Sequence, residues 1–285
     1  MSEERKGALN MVAASICWSF GGLCIKAIPW GSMSIIGLRA ALAAVVFAIY
    51  TKNVKIRLTP GNLLSAFCLS ATTILFVFAN KLTTAAAAIL LQFIAPVFIV
   101  LLEFIFYKKR PRVGELLAVF ATICGMVLFF VGKIEGGGTL GNILAIASGL
   151  SFAGVFVSNK RPDTNSGQSM LLGFLINSLI GLPFAFFQAT PELVPWLAVI
   201  FLGVVQVGLA YVFFSIGIKR TPALLACLIT ALEPVLNPIW VAVVTKEIPG
   251  PFAIAGGGVI ILTVVIYNMW VERQLPRNKK SEGNA

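Results

Sequence analysis

KLTTAAAAILLQFIAPV at residues 81–97 returns as KRTPALLACLITALEPV at residues 219–235, at a constant offset of 138 and with 7 identities in 17 positions. Ser19-Phe20 likewise matches Ser151-Phe152 at an offset of 132. Apolar composition alone would give fewer identities, so the chain contains a duplication. The halves are residues 1–132 and 139–285, joined by a glycine-rich connector at 133–138.

The composition is that of an all-α integral membrane protein. Of the 285 residues 58% are hydrophobic and 12% are charged, whereas about a quarter of the residues in a soluble domain are charged. Apolar runs recur that are long enough to cross the roughly 30 Å hydrocarbon layer of a bilayer. We predict ten membrane helices, at residues 8–28, 33–50, 61–80, 83–106, 113–131, 139–158, 169–188, 194–218, 222–245 and 251–270.

The basic residues predict the orientation of these helices. With the N-terminus in the cytoplasm, 17 of the 22 Lys and Arg residues fall on the cytoplasmic side, as the positive-inside rule requires. This bias favours an even number of helices and two cytoplasmic termini. Because five helices per half is an odd number, the second half enters from the opposite side, which predicts a 5+5 inverted repeat. We expect a multi-pass protein of the cell (inner or plasma) membrane.

Several function classes lose support. The chain has no His, and its five cysteines lie in apolar runs without metal-ligand spacing. We therefore expect no metal, no cofactor and no enzymatic activity, since no nucleophile–base arrangement is present either. The basic residues lie in short connectors instead of one basic face, so we expect no nucleic-acid partner.

Glu233 is the acid that most needs an explanation. It lies in the middle of predicted span 9, directly before Pro234 and four residues before Asn237, where a charge costs about 2.5–3.5 kcal/mol. It either binds a substrate amine or a coupling proton in a central cavity, or it is hydrogen-bonded to a neighbouring helix at a proline break. The residues that we expect to line a substrate cavity are Trp18, Gln92, Gln206, Tyr211, Glu233 and Asn237.

Two further pairs of residues carry structural predictions. Pro96 and Pro234 occupy equivalent positions in the repeat and should break spans 4 and 9, either as marks of a binding region or as inherited kinks. Lys26 and Arg39 flank the first outside turn, where they either extend to the interface or line the outer mouth of the pathway.

A family likeness rests on residues in both halves: Trp18, Phe20-Gly21 and Lys26 in span 1, Arg39 in span 2, Pro96-Val97 after an alanine-rich run, Leu232 to Val235, and Lys246-Glu247. This ordered set in a duplicated chain resembles the EamA-like transporters of the drug/metabolite transporter superfamily. The resemblance implies ten helices, cytoplasmic termini, a central cavity lined by spans 1, 3, 4, 6, 8 and 9, and transport of small metabolites or amino acids, often outward.

The leading hypothesis is a secondary transporter that moves a small amino-acid-like or amphipathic solute by alternating access, in the direction of export. The alternative is a gated channel or a facilitator without ion coupling. Expected partners are the solute, the lipid bilayer and either a proton or a counter-substrate. The chain acts as a monomer or as a homodimer.

Cysteine substitutions test the predicted orientation. A membrane-impermeant maleimide applied to intact cells should label Ile134→Cys, whereas Val54→Cys and Lys280→Cys should react only after permeabilisation. The parent protein, with its five native cysteines, gives the background. Labelling of Lys280→Cys from the external side would refute the orientation.

Overall fold

The computed structural model describes residues 3–20, 28–52, 55–83, 85–131, 138–188, 192–236 and 250–282. Regular structure in these ranges is helical. The helices are α1 (Glu3–Ser19), α2 (Ser32–Thr51), α3 (Pro60–Leu82), α4 (Ala85–Gln92), α5 (Ala95–Tyr107), α6 (Val113–Phe129), α7 (Thr139–Ser158), α8 (Ser166–Gln188), α9 (Leu193–Phe201), a π segment (Leu202–Leu209), α10 (Ala210–Arg220), α11 (Ala223–Thr230) and α12 (Pro251–Glu282).

Seven stretches of the described chain are long and apolar enough to cross a membrane. Val113–Phe129 and Ala223–Leu236 are shorter apolar helices, and α1 has 17 residues. The later parts of predicted spans 1 and 9 lie outside the described residues, as does the connector apart from Gly138. The seven stretches are Ser32–Thr51, Pro60–Ala79, Ala87–Tyr107, Thr139–Ser158, Ser166–Phe187, Leu193–Arg220 and Pro251–Gln274.

Three predicted spans are interrupted or altered in the structure. A turn at residues 93–94 separates α4 from α5, whose first turn contains Pro96. Ala231 is a turn residue after α11, and helix resumes over residues 232–236 around Pro234. The π segment widens the helix between α9 and α10, a local change that apolar periodicity does not report.

The long helices pack as close antiparallel pairs. α2 crosses α8 where Gly37 faces Gly181, and α6 crosses α12 where Gly125 faces Gly256. α1 packs against α10, and α3 packs against α7. Glycine at a crossing lets two backbones approach, which is how membrane helices gain van der Waals contact in the absence of a hydrophobic driving force.

Polar side chains join the helices at one end of the bundle, which we call the basic end because Lys160, Arg161, Lys219 and Arg220 lie there. Ser65 on α3 donates to Ser169 on α8 at 3.1 Å and accepts from Asn159 at 2.8 Å. Hydrogen bonds of this kind hold membrane helices in register.

The Gly37–Gly181 crossing predicts a stability effect. A methyl group at Gly37 would lie 2.3 Å from both the Gly181 carbonyl carbon and the Leu182 nitrogen, so the backbones must separate. We expect Gly37→Ala to lower the free energy of unfolding by about 1–3 kcal/mol, measured by denaturant unfolding in detergent. Gly258→Ala is the matched control, because among the described residues nothing beyond the local helix backbone and chain neighbours lies within 4 Å of the added group. Equal stabilities of the two variants would contradict the prediction.

Candidate functional site

A cavity of ≈ 120 Å³ lies among the helices at mid-depth. Its walls come from α1, α2, α3, α4, α7, α8, α10, the π segment and the helical residues after Ala231, so both halves contribute. It is lined by Trp18, Ile36, Arg39, Ala40, Thr72, Thr73, Phe76, Gln92, Phe93, Phe152, Phe174, Asn177, Gln206, Val207, Tyr211 and Glu233.

Arg39 and Glu233 are the charged residues that line this cavity in the described part of the chain. Neither takes part in an ion pair within 4.0 Å among the described residues. Each charge therefore acts on the other through the cavity, where a low dielectric strengthens Coulomb interactions. A guanidinium and a carboxylate held apart in this way can each bind an oppositely charged group of one small solute.

The π segment supplies a polar group to the wall. Gln206 lies within it, and its side-chain nitrogen donates to the Trp18 carbonyl oxygen at 3.3 Å. Its side-chain oxygen is buried and has no hydrogen-bond partner among the residues that the structure describes. An unsatisfied buried acceptor is costly, so a donor on a bound solute would relieve that cost.

The amide of Gln92 is held by a relay to α3. Its nitrogen donates to the Ser148 hydroxyl at 2.8 Å, and that hydroxyl donates to the Thr72 carbonyl oxygen at 3.0 Å. Ser70 on α3 donates to the Asn177 side-chain oxygen on α8 at 2.6 Å. These bonds fix the orientation of two amides at the cavity before any solute binds.

Aromatic rings close the cavity toward the basic end in two layers. Trp18, Phe152, Phe174 and Tyr211 line the cavity, and the Trp18 and Tyr211 ring centroids are 5.0 Å apart. Beneath them lie three fully buried rings that contact this layer, with centroids 4.8 to 5.4 Å away. The lower rings are Phe47, Phe156 and Phe214.

Two lysines form hydrogen bonds at the basic end, below these rings. The Lys160 ammonium donates to the carbonyl oxygens of Ile218 and Thr221, and the Lys219 ammonium donates to the Thr164 carbonyl oxygen. Both connect the α7–α8 loop to the end of α10. Burial lowers the pKa of Lys160 to about 8. In this conformation the cavity is closed at the basic end.

The structure brings together most of the residues that the sequence predicted for a cavity. Trp18, Gln92, Gln206, Tyr211 and Glu233 line the same space. Asn237 and Lys26 lie outside the described residues.

The sequence places Arg39 near the outer turn, either at the interface or at the outer mouth of the pathway. In the structure it lies about two turns into α2, roughly 10 Å along the helix axis, and it lines the cavity. α2 also enters the wall, as does α8, although the family likeness implied neither.

Sequence reasoning missed several lining residues. Thr72 and Thr73 are adjacent in an apolar span, and Asn177 could be read only as a hydrogen bond between helices. Aromatic residues are so frequent in this chain that Phe152 and Phe174 gave no signal of their own. The adjacent threonines were the one usable clue.

A profile of the EamA-like transporter family matches the chain twice, at residues 5–131 and 139–269. The chain belongs to the EamA-like transporter family. It is therefore a multi-pass membrane transporter of small solutes, as the residue pattern predicted, and its surroundings are lipid.

Three proteins named as transporters are similar to this chain over more than half of their length. A protein named uncharacterized transporter from Archaeoglobus fulgidus is 32% identical over 56% of this chain and 58% of its own length. YetK of Bacillus subtilis, also named an uncharacterized transporter, is 25% identical over 84% of this chain and 78% of its own. A biotin transporter of Salmonella typhimurium is 24% identical over 82% and 83% of the two chains.

A crystal structure shares the fold. It superposes with a TM-score of 0.82 over 95% of this chain and 99% of its own, at 19% sequence identity. At this identity the likeness concerns the fold alone.

The opposed charges predict an energetic coupling. We expect Arg39→Met and Glu233→Gln to lower the free energy of unfolding separately, and the double variant to lose less than the sum by about 0.5–3 kcal/mol, because each single change leaves one charge without its opposite. Denaturant unfolding in detergent measures the cycle. Additive losses would mean that the two side chains do not interact.

Proposed function

We propose that this transporter carries a small zwitterionic, amphipathic solute of the amino-acid class across the cell membrane. The observation that carries the proposal is the pair of opposite charges on one aromatic-walled cavity. Arg39 would hold the carboxylate of the solute, because a guanidinium pairs with a carboxylate through two parallel hydrogen bonds. Glu233 would hold the ammonium, and Trp18 and Tyr211 would cover the apolar side chain.

The named function of one relative offers a contrast. Biotin has a carboxylate and an uncharged ureido ring, so it would engage Arg39 and the amides of Gln92 and Gln206 but would leave Glu233 without a cation. The cavity of ≈ 120 Å³ also favours a smaller solute. We therefore place the zwitterion first and a monocarboxylate second.

The proposed architecture is ten helices in a 5+5 inverted repeat with both termini in the cytoplasm. Support comes from the two family matches, which fall on the two predicted halves. The helix contacts give further support. Exchanging the halves turns the α1–α10 contact into the α7–α3 contact, and turns the contact of α2 with the π segment into that of α8 with α3.

The proposed mechanism is alternating access with net export. In the described conformation two aromatic layers and the Lys160 and Lys219 hydrogen bonds stand between the cavity and the basic end. A carrier must break these contacts each time it opens to that side, as inverted-repeat transporters do by rocking one unit against the other. A gated channel is the alternative, and saturable counterflow in vesicles would exclude it.

Glu233 also fits the role of the coupling group. A carboxylate without an ion pair can release the solute ammonium and bind a proton in its place, so that solute and proton occupy one site in turn. The same site would support exchange against a counter-substrate. Coupling to a proton is the simpler assignment because it needs no second solute.

The transport role of Glu233 is tested by Glu233→Gln, which keeps the shape of the side chain and removes its titration. We expect the variant to express and insert normally and to lose most gradient-driven transport in proteoliposomes. Solute exchange would survive if the residue serves only the proton. Glu272→Gln is the matched control, since Glu272 is exposed on α12 and away from the cavity. If Glu233→Gln transports at the same rate as the parent over a range of pH, Glu233 has a structural role and no role in transport.

The solute class is tested by ligand stabilisation of the purified protein. A solute that binds the folded state raises the melting temperature. Three compounds with the same side chain are compared: the amino acid, its amide and the decarboxylated amine. The amino acid should raise the melting temperature, whereas the amide and the amine should not. In Arg39→Gln the shift should disappear. If the amine and the amino acid raise the melting temperature equally, Arg39 does not bind the carboxylate of the solute.

A further inference from the structure

A second cavity, of ≈ 490 Å³, opens on the outer surface of the bundle between α3, α5 and α7. Its edges are exposed apolar side chains, with Phe106 70% exposed and Leu64 44% exposed. In a membrane transporter this surface faces lipid. The groove is lined by Leu64, Cys68, Leu102, Phe106, Tyr107, Leu150, Ser151, Gly154, Val157, Ser158, Arg161, Pro162 and Asp163.

The groove has the length of one leaflet. On α7 it extends from Leu150 to Ser158, about 12 Å at 1.5 Å per residue, whereas half of the hydrocarbon layer is about 15 Å. Its charged end lies just beyond the last residues of α5 and α7, Tyr107 and Ser158. One end is therefore at the membrane surface and the other lies inside the leaflet.

The charged end is built around Arg161. Its Nε and Nη2 donate to the Asp163 carboxylate at 2.9 and 3.3 Å, and the hydrogen bond from Arg161 lowers the pKa of Asp163. Asp163 also accepts from the Gly61 backbone nitrogen at 2.8 Å. The bond to Gly61 and the Asp163 pair hold the guanidinium in place, while Nη1 has no acceptor in the described part of the chain.

The surroundings of this end are positively charged overall. Lys108, Lys109, Arg110 and Arg112 follow Tyr107 directly in the chain. Lys109 pairs with Glu103 at 2.6 Å and with Glu115 at 3.0 Å, as expected for acids near basic residues at a helix end. Together with Arg161 the four basic residues supply five positive charges, whereas Glu103, Glu115 and Asp163 supply three negative charges. Basic pockets between membrane helices favour anionic lipid headgroups.

We propose that the groove binds one anionic phospholipid of the leaflet at the basic end, with an acyl chain between α3, α5 and α7 and the phosphodiester on Arg161. The leaflet-length shape and the excess of positive charge at one end distinguish this occupant from a second copy of the chain. A helix from a second copy would continue across the whole bilayer. The site is separate from the central cavity, and the proposal does not depend on which solute is transported.

The bound lipid would stabilise the closed basic end. Arg161 and Asp163 lie in the α7–α8 loop, which also contains Lys160 and Thr164. A phosphate on Arg161 holds this loop in the position from which Lys160 reaches α10. Anionic lipid would therefore favour the conformation that is closed at the basic end.

Lipid retention by the purified full-length chain tests the site. The delipidated protein is titrated with palmitoyl-oleoyl phosphatidylglycerol or with the phosphatidylcholine of the same acyl chains, and bound lipids are counted by native mass spectrometry. We expect one phosphatidylglycerol per chain, held about tenfold more tightly than phosphatidylcholine, the size of effect that one charge-assisted contact gives. Raising the salt from about 0.1 M to about 1 M should weaken this preference.

Two variants separate the headgroup from the acyl chain. Arg161→Gln should lower phosphatidylglycerol affinity about tenfold and leave phosphatidylcholine unchanged, whereas Ser151→Phe should lower the retention of both by filling the groove. Arg220→Gln is the control, because Arg220 lies at the same end and pairs with Glu3 at 3.3 Å away from the groove.

Three results would overturn the proposal. The first is equal retention of the two lipids by the unaltered protein, or a preference that salt does not change, and this readout needs no variant to fold. The second is parental phosphatidylglycerol affinity in folded Arg161→Gln. The third is a dimer that Ser151→Phe converts to monomers without loss of lipid, which would assign the groove to a second copy.

Discussion

Every backbone N–H and C=O group within the hydrocarbon layer must be hydrogen-bonded inside the protein, because lipid offers no partner. Because of this constraint the described spans are helical, and a helix can be interrupted only where its backbone groups find other partners. The breaks at residues 93–94 and at Ala231, together with the π segment, all adjoin the central cavity. There the irregular backbone is covered by protein or by a polar wall. The cavity is thus the place where this fold tolerates non-helical backbone.

The same requirement governs the polar side chains. Gln92, Asn177 and Ser148 are bonded across helix interfaces, while Arg39, Glu233 and the oxygen of Gln206 retain capacity for a further partner. Uncompensated polar groups at mid-depth are expensive. Three such groups line one small cavity, so a solute of complementary charge would stabilise the protein when it enters. The energetic cost of the empty site is thus linked to its proposed function.

Two different kinds of contact close the cavity at the basic end. Aromatic rings in edge-to-face and tilted contact supply dispersion and apolar contact, and the lysine–carbonyl bonds below them are short-range and directional. Rocking one unit against the other would separate both sets together. The groove on the lipid side adjoins the loop that carries these lysines. Lipid composition at that surface can therefore act on the closed end without reaching the solute.

The sequence by itself determined the helical membrane class, the duplication and the transporter family, because hydrophobic length, charge bias and repeat offset are properties of the chain alone. It also identified five of the sixteen residues that line the cavity, since polar groups in an apolar span are conspicuous. Only the tertiary structure decided that Arg39 faces the cavity, that Thr72 and Asn177 join the wall, and that a π segment presents Gln206. These depend on how far one helix is rotated and shifted against the next, and close packing at glycine contacts such as Gly37–Gly181 fixes that geometry.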